Sequence, residues 1–481
     1  MAKTIVEQLA EATANCTFED LGAKAAEESK RLILDSIGCA LAATEEPKGK
    51  IGIEIGRMMG GAKEEATILG AGERGSVFGA AFANGELINA LDYDAVLPPG
   101  HVAPYVIPAA LAMAESRGAS GRDVVVAIAL AHEMSHRIGK AMDYLRDIKD
   151  GKIESPKILG YSCTIFGATA AVLKVKGQTA DVISHALGIA GSIAPVNSLK
   201  SWAHHTPSTT VKYTVAGPLA QSALIAAAMA ELGHRGDLPV LDDAEYGYPR
   251  FIGTQRWEPG RITEEFGRKW NFVAESNIKP YPHCRAQHCL FDALTAVLEK
   301  DDIQPGEIES IRTYGEGFAA GDVVWLSRRI ERVEDAQMSV PHGVAMVAHR
   351  IRHGKKWQDP KVVFDPSVIS LMNKVTHQVH PEYVERLRQN PASRPTRVEV
   401  SARGTVFVGE REFPKGSPSP DPSSYMTNEE LVEKFRHNAE DVLSSAAVDD
   451  IVDALLNLEN AKDFAVVMRL FGTQPKVKLA S

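Results

Sequence analysis

The chain has 481 residues, of which 44% are hydrophobic and 24% charged, and its 53 Lys+Arg against 62 Asp+Glu leave a formal net charge of −9. That balance belongs to a globular protein of roughly two to four domains and excludes disordered, collagen-like and membrane-spanning chains. A moderately acidic chain without a basic block also excludes nucleic acid as a partner, while a few buried cations still allow a small acidic ligand.

Residues 1–12, MAKTIVEQLAEA, are amphipathic and carry acids, without the continuous apolar run of a secretory signal. The expected address is the cytoplasm. Apolar residues at three- and four-residue spacing then predict helices over 28–43, 79–91, 107–119, 121–142, 162–176, 180–190 and 216–232. Several are apolar nearly all round, as helices inside a large bundle are, and their Ala and Gly residues permit close approach. The longest apolar stretches, 124–131 and 224–230, fall far short of the about 18 residues that a membrane span needs.

From about residue 275 the texture changes. Alternating β-branched residues predict strands over 308–314, 361–364 and 397–408, with Gly404 as a turn or bulge in the last. Helices over 285–298 and 336–350 lie between them, so this region reads as a smaller α+β domain. After a Pro/Ser-rich loop at 414–424, Thr427 and Glu430 form a capping box, and further helices are expected over 441–458 and 461–471. That tail is too short for a core of its own and is expected to pack back on the N-terminal helices.

Five cysteines (Cys16, Cys39, Cys163, Cys284, Cys289) without a CxxC pair argue against a disulfide scaffold and a structural zinc site. There is no Walker loop or GxSxG, so a nucleotide cofactor has no support. The chemistry-bearing residues lie in polar islands within apolar sequence. In FANGELINALDYDAVLPPGH (82–101), Asp92 and Asp94 follow a helix, and a Pro-Pro-Gly turn presents His101. Carboxylates and an imidazole beside a tight loop can serve a cavity as acid–base groups, or can be a solvated helix end. In KSWAHHTPSTTVK (200–212), Lys212 begins a helix that next meets a charge at Glu231. Such a lysine either snorkels to water or faces an anion. In KPYPHCRAQH (279–288), Lys279, His283, Cys284 and His288 stand near a helix start, which favours anions. A zinc site from Cys284, His288 and Cys289 is disfavoured, because adjacent helical residues point about 100° apart. A fourth island, DAQMSVPHGVAMVAH (335–349), is uninformative alone.

Taken in order, RLILDSIGCALAA (31–43), FANGELINALDYD (82–94), GHVAPYVIPAALAMAE (100–115), FGATAAVLKVKG (166–177), VKYTVAGPLAQSALIAAAMAELG (211–233), KPYPHCRAQHCLFDA (279–293) and DAQMSVPHGVAM (335–346) resemble the MmgE/PrpD family over nearly the whole chain. The resemblance implies a mainly α fold: a large all-helical domain from residues 1–274 and 421–481, with a smaller α+β lid domain at 275–420. It also implies a homodimer that works without metal or other cofactor, with its site in the cleft between the domains. The family's site residues fall on Asp92, His101, Lys212 and Lys279, with His288 matching a histidine of the same loop and helix.

The implied chemistry is proton movement beside a carboxylate, with loss of water or CO2, or inversion. Lys212 and Lys279 would hold carboxylates and neutralise developing charge, and His101 would be the acid/base. Asp92 would orient His101 or shuttle a proton. Asp94, Cys284 and His288 join Lys279 as expected substrate contacts. The chain also departs from the family pattern. Ala95, Val96 and Leu97 replace a second acid, threonine and histidine, Cys284 replaces a histidine of decarboxylase-like members, and KILG (157–160) lacks another. The expected function is therefore a cofactor-free dehydratase or decarboxylase of a small di- or tricarboxylate. The alternatives are an isomerase or epimerase, and a non-catalytic member of the family.

Overall fold

The computed structural model describes residues 2–61, 63–153, 156, 160–196, 201–211, 215–317, 319 and 323–471. Within them the fold is mainly α, and none of its helices is long and apolar enough to cross a membrane. The N-terminal part holds α1 (Ile5–Asn15), α2 (Gly22–Ala42), α3 (Pro47–Met58), α4 (Val77–Asn89), α5 (Ala103–Arg117), α6 (Gly121–Ala141), α7 (Thr164–Val175), α8 (Ala180–Ile193) and α9 (Ala216–Glu231). Every residue of helix α4 except Phe78 is buried, between α3, α5 and α9. Small residues make that position possible. A Cβ on Gly79 of α4 would lie 2.3 Å from the Gly56 carbonyl oxygen of α3, so the two backbones meet where no larger residue fits.

Strands β1 (Ala66–Ile68) and β2 (Glu73–Gly75) pair between α3 and α4, and β3 (Val96–Leu97) and β4 (Gly100–His101) pair after α4. The second half adds α10 (His288–Lys300), β5 (Ile308–Gly315), α11 (Val340–Ala348), β6 (Val375–Val379), β7 (Thr396–Ala402) and β8 (Thr405–Arg411). These strands form one sheet in the order β8-β7-β5-β6, with β5 and β6 parallel and the other pairs antiparallel. Alternating burial along β7 places Val398, Val400 and Ala402 inward. The stretch over 397–408, expected as strand with a turn or bulge at Gly404, is a hairpin that turns there, because Arg403 and Gly404 both take left-handed backbone angles.

The strand expected over 361–364 is instead a helical turn, Pro360–Val363. Pro360 stands in its first turn, and the Asp359 carboxylate accepts from the Lys361 amide at 2.9 Å. A cap and a first-turn proline outweigh the β preference of two valines. The helix expected over 336–350 is broken at Ser339, whose hydroxyl caps α11.

The C-terminal helices α12 (Asn428–Ala439) and α13 (Ser445–Leu456) lie on α2. Thr427 and Glu430 close the capping box of α12. On its buried face, Lys434 donates to the Asp35 carboxylate of α2 at 2.6 Å and to the Tyr93 carbonyl at 3.0 Å. Its ammonium also sits 3.8 Å from the Tyr93 ring centre. The C-terminal segment thus supports the chain between Asp92 and Asp94 from beneath. Lys434→Met would strand Asp35 without its cation, at a cost of about 3–5 kcal/mol. Urea unfolding should register that loss, and Asp35→Leu with Lys434→Met should recover much of it. A loss below about 1 kcal/mol for the single change contradicts the assignment.

Candidate active site at the end of helix α4

Ser76 caps α4 by accepting from the Gly79 amide, and the helix carries a ladder of buried polar residues toward its far end. Glu86 accepts from the Gly217 amide at 2.8 Å in the first turn of α9. Asn89 accepts from Lys48 at 2.9 Å and donates to Asp94 at 3.2 Å. The chain then turns sharply at Asp92, whose φ of 52° is left-handed. Aspartate tolerates that conformation better than most residues. Pro98 and Pro99 turn the β3–β4 hairpin, which brings His101 back over the carboxylates. A Cβ at Gly100 would lie 2.2 Å from the Tyr161 ring, so glycine lets that ring lie against the hairpin. The other edge of the hairpin is held by Asn277, which exchanges backbone hydrogen bonds of 2.8 and 2.9 Å with Val96.

His101 is 3% exposed, and both its nitrogens face carboxylates. Nδ1 lies 2.6 Å from Asp94 Oδ2, and Nε2 lies 3.3 Å from Asp92 Oδ1. A carboxylate only accepts, so the short contact assigns the Nδ1 proton to the Asp94 side. Lys279 Nζ completes the array. It donates to the Asp92 carbonyl at 2.8 Å and stands 3.1 Å from Asp92 Oδ2. Asp92 and Asp94 are fully buried beneath, and His101 and Lys279 are the members that reach the cavity above.

That cavity, of about 90 Å3, also meets Tyr161, Cys284, Arg285 and Arg394. Burial pushes the Cys284 thiol up to about 11, with the Asp92 charge adding to it. Burial likewise raises the Tyr161 phenol well above its usual value. Both are therefore neutral at pH 7. Arg285 is pulled down to about 10 by burial, which still leaves it a cation.

Of the residues singled out in the sequence, Asp92, Asp94, His101 and Lys279 form one array, and Cys284 stands on the same cavity wall. Asp94 lies behind the imidazole instead of on the wall. His288 turns back into the protein, with Nε2 3.0 Å from the His283 carbonyl and its ring against Tyr281. Burial lowers its pKa well below the usual histidine range, so it is no cation for a substrate. Lys212 lies outside the described residues. Tyr161, Asn277, Arg285 and Arg394 were not expected here. Arg285 follows Cys284 in the 279–288 motif, while Arg394 stands in the loop NPASRPT with no periodic signal around it. Among the described residues no group of three or more His, Cys, Asp or Glu is placed to hold a metal ion.

The chain matches the MmgE/PrpD N-terminal domain over residues 7–259 and the MmgE/PrpD C-terminal domain over residues 281–459. Its relatives include a human cis-aconitate decarboxylase, 23% identical over 515 aligned residues that span 100% of this chain and 97% of that protein. A cis-aconitate decarboxylase of Aspergillus terreus is 25% identical over 500 residues, spanning 99% of this chain and 97% of that protein. A cis-aconitate decarboxylase-like protein of Aspergillus oryzae is 25% identical over 476 residues, spanning 94% of each.

A neutral, buried Cys284 has a consequence for labelling. Alkylation needs the thiolate, so its rate at Cys284 should climb about tenfold per pH unit between pH 7 and 10. Peptide mapping after timed iodoacetamide exposure measures this. A rate that levels off below pH 9 contradicts the raised pKa.

Proposed function

The chain belongs to the MmgE/PrpD family, and on that premise we propose that it is a lyase, a decarboxylase or dehydratase, of a small di- or tricarboxylate. The observation that carries the reading is His101, clamped by Asp94 at 2.6 Å and facing Asp92 at 3.3 Å, beside a buried lysine. Loss of CO2 or water beside a carboxylate builds negative charge on carbon or on the neighbouring carboxylate. Lys279 supplies a fixed cation for that charge, and Lys212 is proposed as a second. His101 Nε2 gives or takes the proton. Asp94 holds the ring through Nδ1, and Asp92 stabilises the imidazolium while anchoring Lys279. The reading assigns no step to a metal or other cofactor.

The segment 275–420 is proposed to serve as the lid, carrying Lys279 and Cys284 to a body that holds Asp92 and His101. The separate family matches on either side of residues 260–280 support a joint there. A homodimer is proposed as well, supported by large apolar side chains left in solvent, such as Leu232 and Tyr246 at 86% and 81% exposure. Epimerisation is the second reading. It needs a second group to deliver a proton, and the neutral acids Cys284 and Tyr161 on the cavity wall favour it.

The relatives' names make cis-aconitate the first compound to test. Incubation in deuterated water, followed by NMR and CO2 capture, separates the readings. The lyase gives CO2 or an alkene, and deuterium at one carbon of a decarboxylated product. Exchange without net conversion favours the epimerase, and no exchange with any di- or tricarboxylate sinks the enzymatic proposal. His101→Asn and Lys212→Met should each lower kcat/KM by about 100-fold or more. Lys176→Met, whose partner Glu231 is 2.5 Å away at the end of α9, should change it little. Equal turnover by the Lys212 and Lys176 variants would remove Lys212 from the site.

A further inference from the structure

The cavity above His101 has a second cationic wall that the lysine and histidine chemistry does not use. Arg285 is 6% exposed, and its contacts are neutral. Nη1 donates to the Lys415 carbonyl at 3.3 Å, and Nη2 donates to the Asn277 side-chain oxygen at 3.1 Å. Its Nε has no hydrogen-bond partner, and among the described residues no carboxylate lies within ion-pair distance; Asp292, whose charge acts on it through space, is already engaged by Arg411 at 3.4 Å, the Tyr281 hydroxyl at 2.9 Å and the Lys415 amide at 2.7 Å. Arg394 reaches the same cavity and pairs with Glu316, a carboxylate that also receives Arg146 at 3.7 Å and the Tyr383 hydroxyl. Arg146 otherwise donates to the Pro391 carbonyl at 2.6 Å and to the Ser393 carbonyl. Arg394 and Arg146 therefore share one carboxylate at this end, and Arg285 pairs with none. Asp92 and Asp94 offer no relief, because Lys279 and His101 occupy them.

A buried guanidinium without an anion costs several kcal/mol, and its planar fork matches a carboxylate. The two arginines are also firmly placed. Asn277, which holds Arg285, is tied to Val96 by its backbone and to Ser417 by its side chain. The cavity shares Pro98, Tyr144, Asn277 and Arg394 with a larger space of about 460 Å3 outside it, so Arg394 stands between the two, with Arg285 on the inner side.

We propose that Arg285 and Arg394 form a second anion clamp, which binds a substrate carboxylate remote from the carbon that exchanges its proton. The clamp makes the pocket selective for di- and tricarboxylates over monocarboxylates of the same length. This inference rests on the reading of the cavity as a carboxylate site.

The test is calorimetric binding of three probes to the full chain: tricarballylate, succinate and succinate monomethyl ester. The wild type should bind the ester at least about tenfold more weakly than succinate, the scale of one charge-assisted contact. Arg285→Met and Arg394→Met should each weaken tricarballylate and succinate by about tenfold or more and leave the ester within about twofold. Arg285→Lys should keep part of the discrimination, which a loss of folding would not, and thermal melts check each variant. If the wild type binds all three probes and the arginine variants keep its order of affinities, the clamp is wrong and the carboxylate pocket stands. If the wild type binds none at about 50 mM, the pocket reading falls and the clamp with it.

Discussion

An ammonium removed from water needs an anion beside it, and without one the cost is several kcal/mol. Lys279, 1% exposed, meets that constraint through one residue, Asp92, which presents both its carbonyl and its carboxylate. To offer both, Asp92 takes a left-handed backbone angle at the end of α4. The second oxygen of the same carboxylate then stands 3.3 Å from His101. Much of the site follows from this pair. Lys279 comes from the chain after residue 275, Asp92 and His101 come from the helical body, and Lys434 of the C-terminal segment holds the intervening Tyr93 carbonyl. Three distant parts of the chain meet at residues 92–94.

The electrostatic layout has two ends. Beneath the cavity, His101 stands between Asp94 and Asp92, and Asp92 also meets Lys279, so each carboxylate has a partner. On the wall, Arg285 has no ion pair and Arg394 shares Glu316 with Arg146, while burial keeps Cys284 and Tyr161 neutral. A balanced floor preserves the array without ligand, and an unbalanced wall leaves charge for an incoming anion. The stretch Ala95, Val96 and Leu97 fits this division. Ala95 and Leu97 are buried, and Val96 is spent on backbone pairing with Asn277, so this stretch shapes the hairpin and carries no charge.

Helix periodicity was legible because the N-terminal helices bury their apolar residues at regular spacing, and the capping box at Thr427 marked α12 to the residue. Short elements were not. Strand β6 is mostly exposed and mixes Thr, His and Gln, so it has little β signature, and the Pro360 turn hid behind two valines. The floor of the site could be read from DYD, His101 and Lys279, because unusual charges in apolar sequence stand out. The wall could not. Arg285 resembles any residue at a helix start, and Arg394 lies in a loop 109 positions further along the chain. Their shared excess of charge exists only once the fold brings Glu316, Arg146 and Asn277 around them.

The central claim is that Asp94 fixes the His101 ring through Nδ1 and so leaves Nε2 to exchange the proton. Nitrogen-edited NMR of histidine-labelled protein reads this directly. The account predicts a strongly downfield proton coupled to Nδ1 of His101, absent in His101→Asn and shifted upfield in Asp94→Asn. A protonated Nε2 with a bare Nδ1, in a wild-type spectrum that Asp94→Asn does not change, would contradict it.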